Sequence, residues 1–330
     1  PRRPFGAHTI SSRAPSANSV TPPIRTTFPA DVHSTGVPRL LPRLPSYHLS
    51  PFRFILAFHL GYSAQSSEEH SMKELLNEAM DIAREAGQLV LEYQRSGFAV
   101  EIKPDQSPVT IADRKAEELI IKRLNRSFPE DAILGEEHGR HEGRSGKEWV
   151  IDPIDGTRSF VRGVPLFGTM IALMEGERSI LGVVYIPALD EMVGAAKGTG
   201  CLWNGNPARV STVNRLDQAL AVTSQIRGIH RLGIQNQFNE FLMQVGMFRT
   251  WGDCYGYVMV ATGRADICFD TAAHLWDMAP VCPIIEEAGG RFTALSGEAT
   301  VYANNGLATN GLLHEEALRY LRTDTGLETE

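Results

Sequence analysis

From Met72 onward the chain carries an apolar stripe at helical spacing. Leu75, Leu76, Ala79, Ile82, Ala83, Ala86, Leu89, Val90 and Tyr93 share one face, which predicts a helix over residues 72–96. Gly97 breaks it. A short strand-like stretch at 99–103 and a Pro-containing turn follow, then a second helix over 110–127 with Ala112, Ala116, Leu119, Ile120 and Leu124 inward. Asp113 falls in its first turn, where an acid suits the helix dipole. Two brief apolar segments end in acids: residues 132–135 run into Glu136 and Glu137, and residues 149–151 run into Asp152. Residues 167–185 read as a hairpin broken at 175–178, and 191–195 extend an antiparallel sheet. Beyond Asn214 strands and helices alternate, with strands at 219–224 and 265–269 and helices at 235–245, 253–262 and 276–288. The change of pattern predicts two domains, 71–212 and 213–330.

The first 70 residues differ in kind: seven Arg, no Lys, ten Pro, ten Ser and three acids, without helical or strand periodicity. They are expected to be a disordered leader. An Arg-rich, Ser-rich, acid-poor leader resembles an organelle transit peptide. Met72 is the first Met, so a mis-assigned start is the alternative. The expected location is the cytoplasm, or the plastid stroma if the leader is a transit peptide.

With 330 residues and 42% hydrophobic content, the chain can bury a large core. No apolar run approaches the roughly 20 residues that a membrane-spanning helix needs, so no membrane partner is expected. The cysteines, Cys201, Cys254, Cys268 and Cys282, form no CxxC pair and read as reduced core thiols. Of 32 basic and 39 acidic residues, seven and three lie in the leader, so the remainder carries a formal charge of −11. Such a body repels nucleic acid and excludes that partner.

The candidate chemistry lies in WVIDPIDGTRSF, residues 149–160. Asp152 and Asp155 present like charges where a buried strand turns, and such a turn calls for a counter-charge. Mg²⁺ supplies one, since it prefers oxygen ligands and pairs with substrate phosphate; Glu136, after the preceding strand, is a natural third ligand. The N–H groups of Gly156 and Thr157 could open a helix and receive phosphate. By spacing alone, a solvated Asx-turn fits the same residues equally well.

Four motifs occur in order: Gly135-Glu136-Glu137, Asp152-Pro153-Ile154-Asp155-Gly156-Thr157, Trp276-Asp277 and Glu287-Ala288-Gly289-Gly290. On these the chain resembles the inositol monophosphatase-like superfamily of Mg²⁺-dependent phosphatases, over about residues 72–322. The resemblance implies an α+β fold, the layered αβαβα sandwich of the inositol monophosphatase and fructose-1,6-bisphosphatase type, usually as a homodimer. It implies two or three Mg²⁺ per active site, held by Glu136, Asp152, the Ile154 carbonyl, Asp155 and Asp277, with Asp152 bridging. Glu136 would also take part in catalysis. The nucleophile it implies is a metal-activated water oriented by Thr157 and Asp113, with phosphate at Gly156 and Thr157. Asp270 corresponds to the acid that meets the alcohol part of a small phosphomonoester substrate.

Arg158 and the run GDCYGY at 252–257 resemble the histidinol-phosphate phosphatase branch, which implies hydrolysis of L-histidinol phosphate to L-histidinol and phosphate. Arg158 is the candidate that shapes the substrate entrance; Arg162 and Arg158 read equally as solvated loop residues. The alternatives are an inositol-1-monophosphatase, a broad sugar-phosphate or nucleotide phosphatase, and a catalytically inactive metal-binding regulatory homologue. Lys103 matches a lysine the family carries near the metal-site water, or is a plain surface lysine. His138 and His141 lie in a charged, Gly-rich segment that reads as a mobile lid and, without a Cys partner, make a weak zinc site.

Overall fold

The structure, a computed structural model, describes residues 51–104 and 107–323, with side chains from Ser71 onward. The expectations for residues 1–50 lie outside the described residues. The first helix, α1, runs Pro51–Ser96 and so begins well before the expected start at Met72. Proline fits a first helical position, and the chain has no further proline until Pro104 to interrupt the backbone hydrogen bonds. A hairpin of β1 (Val100–Ile102) and β2 (Pro108–Thr110) leads into α2 (Ile111–Ser127).

Eight strands then build the larger sheet: β3 (Ala132–Gly135), β4 (Gly139–His141), β5 (Lys147–Asp155), β6 (Gly168–Glu175), β7 (Arg178–Ile186), β8 (Glu191–Ala196), β9 (Gly200–Trp203) and β10 (Asn206–Ala208). The short α3 (Thr157–Val161) separates β5 from β6. Their order is β10-β9-β8-β7-β6-β5-β3-β4, with β3 and β5 parallel and the other pairs antiparallel. The segment read as a mobile lid is corrected here: Gly139–His141 is a strand registered on β3, Ile133 opposite His141.

The second sheet contains β11 (Leu220–Val222), β12 (Met247–Arg249), β13 (Ile267–Asp270), β14 (Arg291–Thr293) and β15 (Gly306–Thr309) in the order β12-β11-β13-β15-β14. Its helices are α4 (Arg227–Arg231), α5 (Gln235–Gln244), α6 (Cys254–Ala261), α7 (Leu275–Glu287) and α8 (His314–Leu321). The change of sheet falls between Ala208 and Leu220, and both sheets lie in one compact unit.

Strand alternation explains the layers. On β5, Trp149 and Ile151 join a cluster with Leu76, Ile82, Ile120 and Leu124 of α1 and α2, whereas Val150 joins one with Val258 and Val281 of α6 and α7. Both faces of the larger sheet are therefore buried, and each fully buried side chain of this size contributes roughly 1.5–3 kcal/mol. The outer face of the second sheet packs Ile267 and Phe269 against Phe238, Phe241, Leu318 and Leu321 of α5 and α8. The layers run helix, sheet, helix, sheet, helix, as the α+β sandwich expectation has it. Among the described residues no helix is long and apolar enough to cross a membrane.

The central helix α7 is seated closely. A Cβ on Gly182 of β7 would lie 1.8 Å from the Pro280 carbonyl, so only glycine admits that approach. Pro283 has no N–H for the Ala279 carbonyl four residues back. Ser179 Oγ donates to that carbonyl instead, at 2.6 Å. This seating also positions Asp277, in the first turn of the same helix. All four cysteines are free; Cys201, Cys254 and Cys268 are buried and Cys282 half-buried.

Candidate active site

Three aspartates from two elements converge. Ligand atoms of Asp152, Asp155 and Asp277 all lie within 4.8 Å of one another. In a regular strand, residues three apart point to opposite faces. Here β5 shifts register against β6 between Asp152 and Asp155. Such an irregularity suits Pro153, which has no ladder hydrogen to donate. Its carbonyl accepts from Thr169 Oγ1 at 2.9 Å.

Each aspartate commits an oxygen to a backbone amide, which fixes its orientation. Ile154 N donates to Asp152 Oδ1 at 2.9 Å, Cys254 N to Asp155 Oδ2 at 2.5 Å and His274 N to Asp277 Oδ2 at 2.7 Å. The last belongs to a capping box that opens α7. The amides on Asp155 and Asp277 come from the part of the chain that builds the second sheet, so both sheets are needed to set the triad.

Asp152 is buried and the other two are half-buried. Burial first, and then the charges of Glu136, Asp155 and Asp277, push Asp152 well above the carboxylate range. Burial and the neighbouring acids push Asp155 and Asp277 up to about 7. Like charges gathered without a counter-charge, with oxygen as the only donor, fit a hard divalent cation.

Glu136 follows β3 and faces Asp152 electrostatically. Its Oε1 accepts from Lys103 Nζ at 2.9 Å, and the same ammonium reaches Glu137 Oε1 at 2.5 Å. Lys103 thus meets the acids of the site. The turn carrying Glu136 is held from behind by Glu117, a buried acid of α2 that accepts from Glu137 N at 2.9 Å and His138 N at 2.7 Å. A Cβ on Gly135 would sit 2.2 Å from that carboxylate, which explains the glycine. Sequence reasoning missed Glu117, although its place on the inward face of α2 was a signal. His138 Nδ1 lies 3.0 Å from the same Glu117.

Thr157 and Asp113 also meet. Thr157 Oγ1 lies 3.3 Å from Asp113 Oδ1 and 2.9 Å from the Ile154 carbonyl. Asp113 is buried in the capping box of α2, its Oδ2 accepting from Thr110 N at 2.7 Å and Thr110 Oγ1 at 2.6 Å. Burial outweighs those hydrogen bonds and raises its pKa. Gly156, at φ 78°, starts α3 in a left-handed conformation that suits glycine.

Beside the triad a recess is lined by Met170, Ser224, Asp253, Tyr257, Asp270 and Ala273, among others. Asp270, at the end of β13, is buried and accepts from Ser224 N at 3.2 Å and from the Ser224 hydroxyl. Asp253 was quoted within GDCYGY but given no role. Burial and the charges of Asp155 and Asp270 raise its pKa, and Arg158 opposes them. Arg158 itself is exposed on α3, and Arg162 caps that helix from the surface. Tyr257 is core packing, and Tyr255 stacks against Arg264.

The profile of the Inositol monophosphatase family matches residues 71–325. The histidinol-phosphatase of Chlorobaculum parvum is 41% identical over 240 residues, covering 70% of this chain and 93% of that protein. The histidinol-phosphatase of Mycobacterium tuberculosis is 38% identical over 249 residues, covering 74% and 96%. Among solved structures, the extragenic suppressor protein suhB from Bartonella henselae superposes with a TM-score of 0.70 at 29% identity, covering 76% of this chain and 98% of that one.

Proposed function

The chain belongs to the inositol monophosphatase family and is a phosphoric monoester hydrolase, and from that premise we propose that it hydrolyses L-histidinol phosphate with Mg²⁺ as cofactor. The observation that carries the reading is the aspartate triad set beside both the Thr157–Asp113 pair and a recess with an acid floor.

In this reading Asp152, Asp155, Asp277, Glu136 and the Ile154 carbonyl hold the divalent cations. When bound, these supply charge neutralisation at the phosphoryl group and acidify a water. The protein's own part is orientation and proton handling. Thr157 Oγ1 accepts a proton from the attacking water while its own proton passes to Asp113 Oδ1. Burial raises the pKa of Asp113, which makes its carboxylate a better proton acceptor. Gly156 and Thr157 present the phosphate-facing backbone, and Asp270 receives the alcohol part of the substrate. A carboxylate suits the ammonium group of histidinol, and Arg158 borders the entrance.

Two histidinol-phosphatases among the relatives support this substrate over inositol phosphate. The test is a substrate panel. kcat/KM for L-histidinol phosphate is expected to exceed that for inositol 1-phosphate by about tenfold or more, on the order of one charged hydrogen bond. Equal or reversed values count against the substrate while leaving the phosphatase reading standing.

A further inference from the structure

Asp253 directly precedes α6, in the position where an aspartate ordinarily caps a helix. Its carboxylate does not cap: α6 has no side-chain cap hydrogen bond. The first amide, Cys254 N, is taken by Asp155 Oδ2 at 2.5 Å, and Gly256 N by the Asp253 backbone carbonyl at 3.1 Å. The backbone at Asp253 stands at φ 52° and ψ −159°, a region that glycine enters far more readily than any side-chain-bearing residue. An acid held there, with its capping role left unused, is placed for something else.

That place is the recess. Asp253 lines it together with Asp155, Asp270 and Asp277, and its Oδ2 is 3.3 Å from the point a Cβ on Gly156 would occupy. Asp270, on the same recess, has one oxygen, Oδ1, taken by both the amide and the hydroxyl of Ser224. Asp253 differs: it makes no side-chain cap hydrogen bond, no Lys, Arg or His is among the residues lining the recess, and Arg158 acts on it electrostatically from outside that lining. The Asp253 carboxylate is half-buried and lines the space next to the triad, where its acceptor oxygens can meet a ligand.

We propose that Asp253 determines substrate specificity by selecting a positively charged leaving group, an ammonium or imidazolium carried on the alcohol part of the phosphomonoester. A cationic alcohol supplies a charge-assisted hydrogen bond to Asp253, whereas a neutral polyol offers only weaker, uncharged donors. The inference rests on the phosphomonoesterase reading of the triad and deepens it. It is independent of which cationic alcohol is the natural one.

The test compares wild type with Asp253→Asn, which keeps the shape and is a residue type tolerated at positive φ. The substrates are L-histidinol phosphate and O-phosphoethanolamine as cationic esters, with inositol 1-phosphate and glycerol 2-phosphate as neutral ones. The ratio of kcat/KM for cationic over neutral esters is expected to fall about tenfold or more, mostly through KM for the cationic esters. An equal loss on both classes, or an unchanged ratio, overturns the proposal; thermal melts of the variant and its turnover of neutral esters report whether it is folded. If wild type does not prefer histidinol phosphate to inositol 1-phosphate but the ratio still falls for phosphoethanolamine, the substrate reading fails and the role of Asp253 holds. If wild type prefers histidinol phosphate and the ratio does not move, the reverse is true.

Discussion

Around His314 the buried polar atoms are matched one to one. Thr293 Oγ1 donates to the Ala294 carbonyl at 2.7 Å, so it accepts from His314 Nε2, 3.0 Å away. On the other side of the ring Thr309 Oγ1 lies 3.0 Å from Nδ1. The pattern uses the neutral imidazole, and burial together with Arg291 pushes its pKa down to about 4. In the aspartate triad the opposite holds: the ligand atoms of Asp152, Asp155 and Asp277 gather charge of one sign within 4.8 Å of one another. One cluster is complete within the chain and supports the fold. The other gathers like charges that a hard divalent cation would offset. Buried polarity therefore has to be read by whether it is satisfied, not by whether it is present.

Removing a charge should act in opposite directions on the two clusters. Asp155→Asn is expected to lower phosphate release roughly 10³-fold or more, since metal-held charge stabilisation is worth several kcal/mol. Its metal-free thermal midpoint should hold or rise, because one like charge is gone; melting curves beside a phosphate-release assay check both. Thr157→Val should lower kcat about 10²-fold with KM little changed, the size of a lost proton relay. A change confined to KM would remove Thr157 from the relay. His314→Ala is expected to destabilise the protein by about 2 kcal/mol through the lost packing and the ring partner lost by each of the Thr293 and Thr309 hydroxyls. Well below its melting point kcat should not change.

The two clusters also carry opposite pH signatures. His314 has a folded pKa of about 4 against an ordinary 6.5, so the unfolded chain binds the proton first. Its contribution is present above 6.5 and is lost as pH falls toward 4, up to about 3 kcal/mol. Asp155 and Asp277 have folded pKa values raised to about 7, so their contribution is present below the ordinary carboxylate pKa and is lost as pH rises through 7 in metal-free protein. Denaturant melts between pH 4 and 8 should show the acid-side loss vanish in His314→Ala and the alkaline-side loss shrink in Asp155→Asn.

The helices α1, α2, α5, α6 and α7 and the strands from β5 to β8 were legible because each repeats a period over several residues. The short strands β4, β9, β10, β12 and β14 were not, because three or four positions carry too little alternation to set a period. That is why Gly139–His141 read as a lid although it is paired with β3. The triad was visible through its motifs. The register shift that turns Asp152 and Asp155 toward each other was visible only as a proline between them. The supports were hidden: Glu117 behind the Glu136 turn and Cys254 N on Asp155 act through contacts 20 and 99 residues apart. Asp253 stood within a quoted motif, but its unused capping position depends on backbone angles that the sequence does not display.

If a divalent cation completes the aspartate cluster, phosphate release depends on that cation. Phosphate release from L-histidinol phosphate, with inositol 1-phosphate and glycerol 2-phosphate alongside, should be followed in chelator and again after Mg²⁺ is restored. Activity is expected to fall to background in chelator and to return in full with Mg²⁺ on whichever esters the enzyme accepts. Full activity in excess chelator would contradict that dependence.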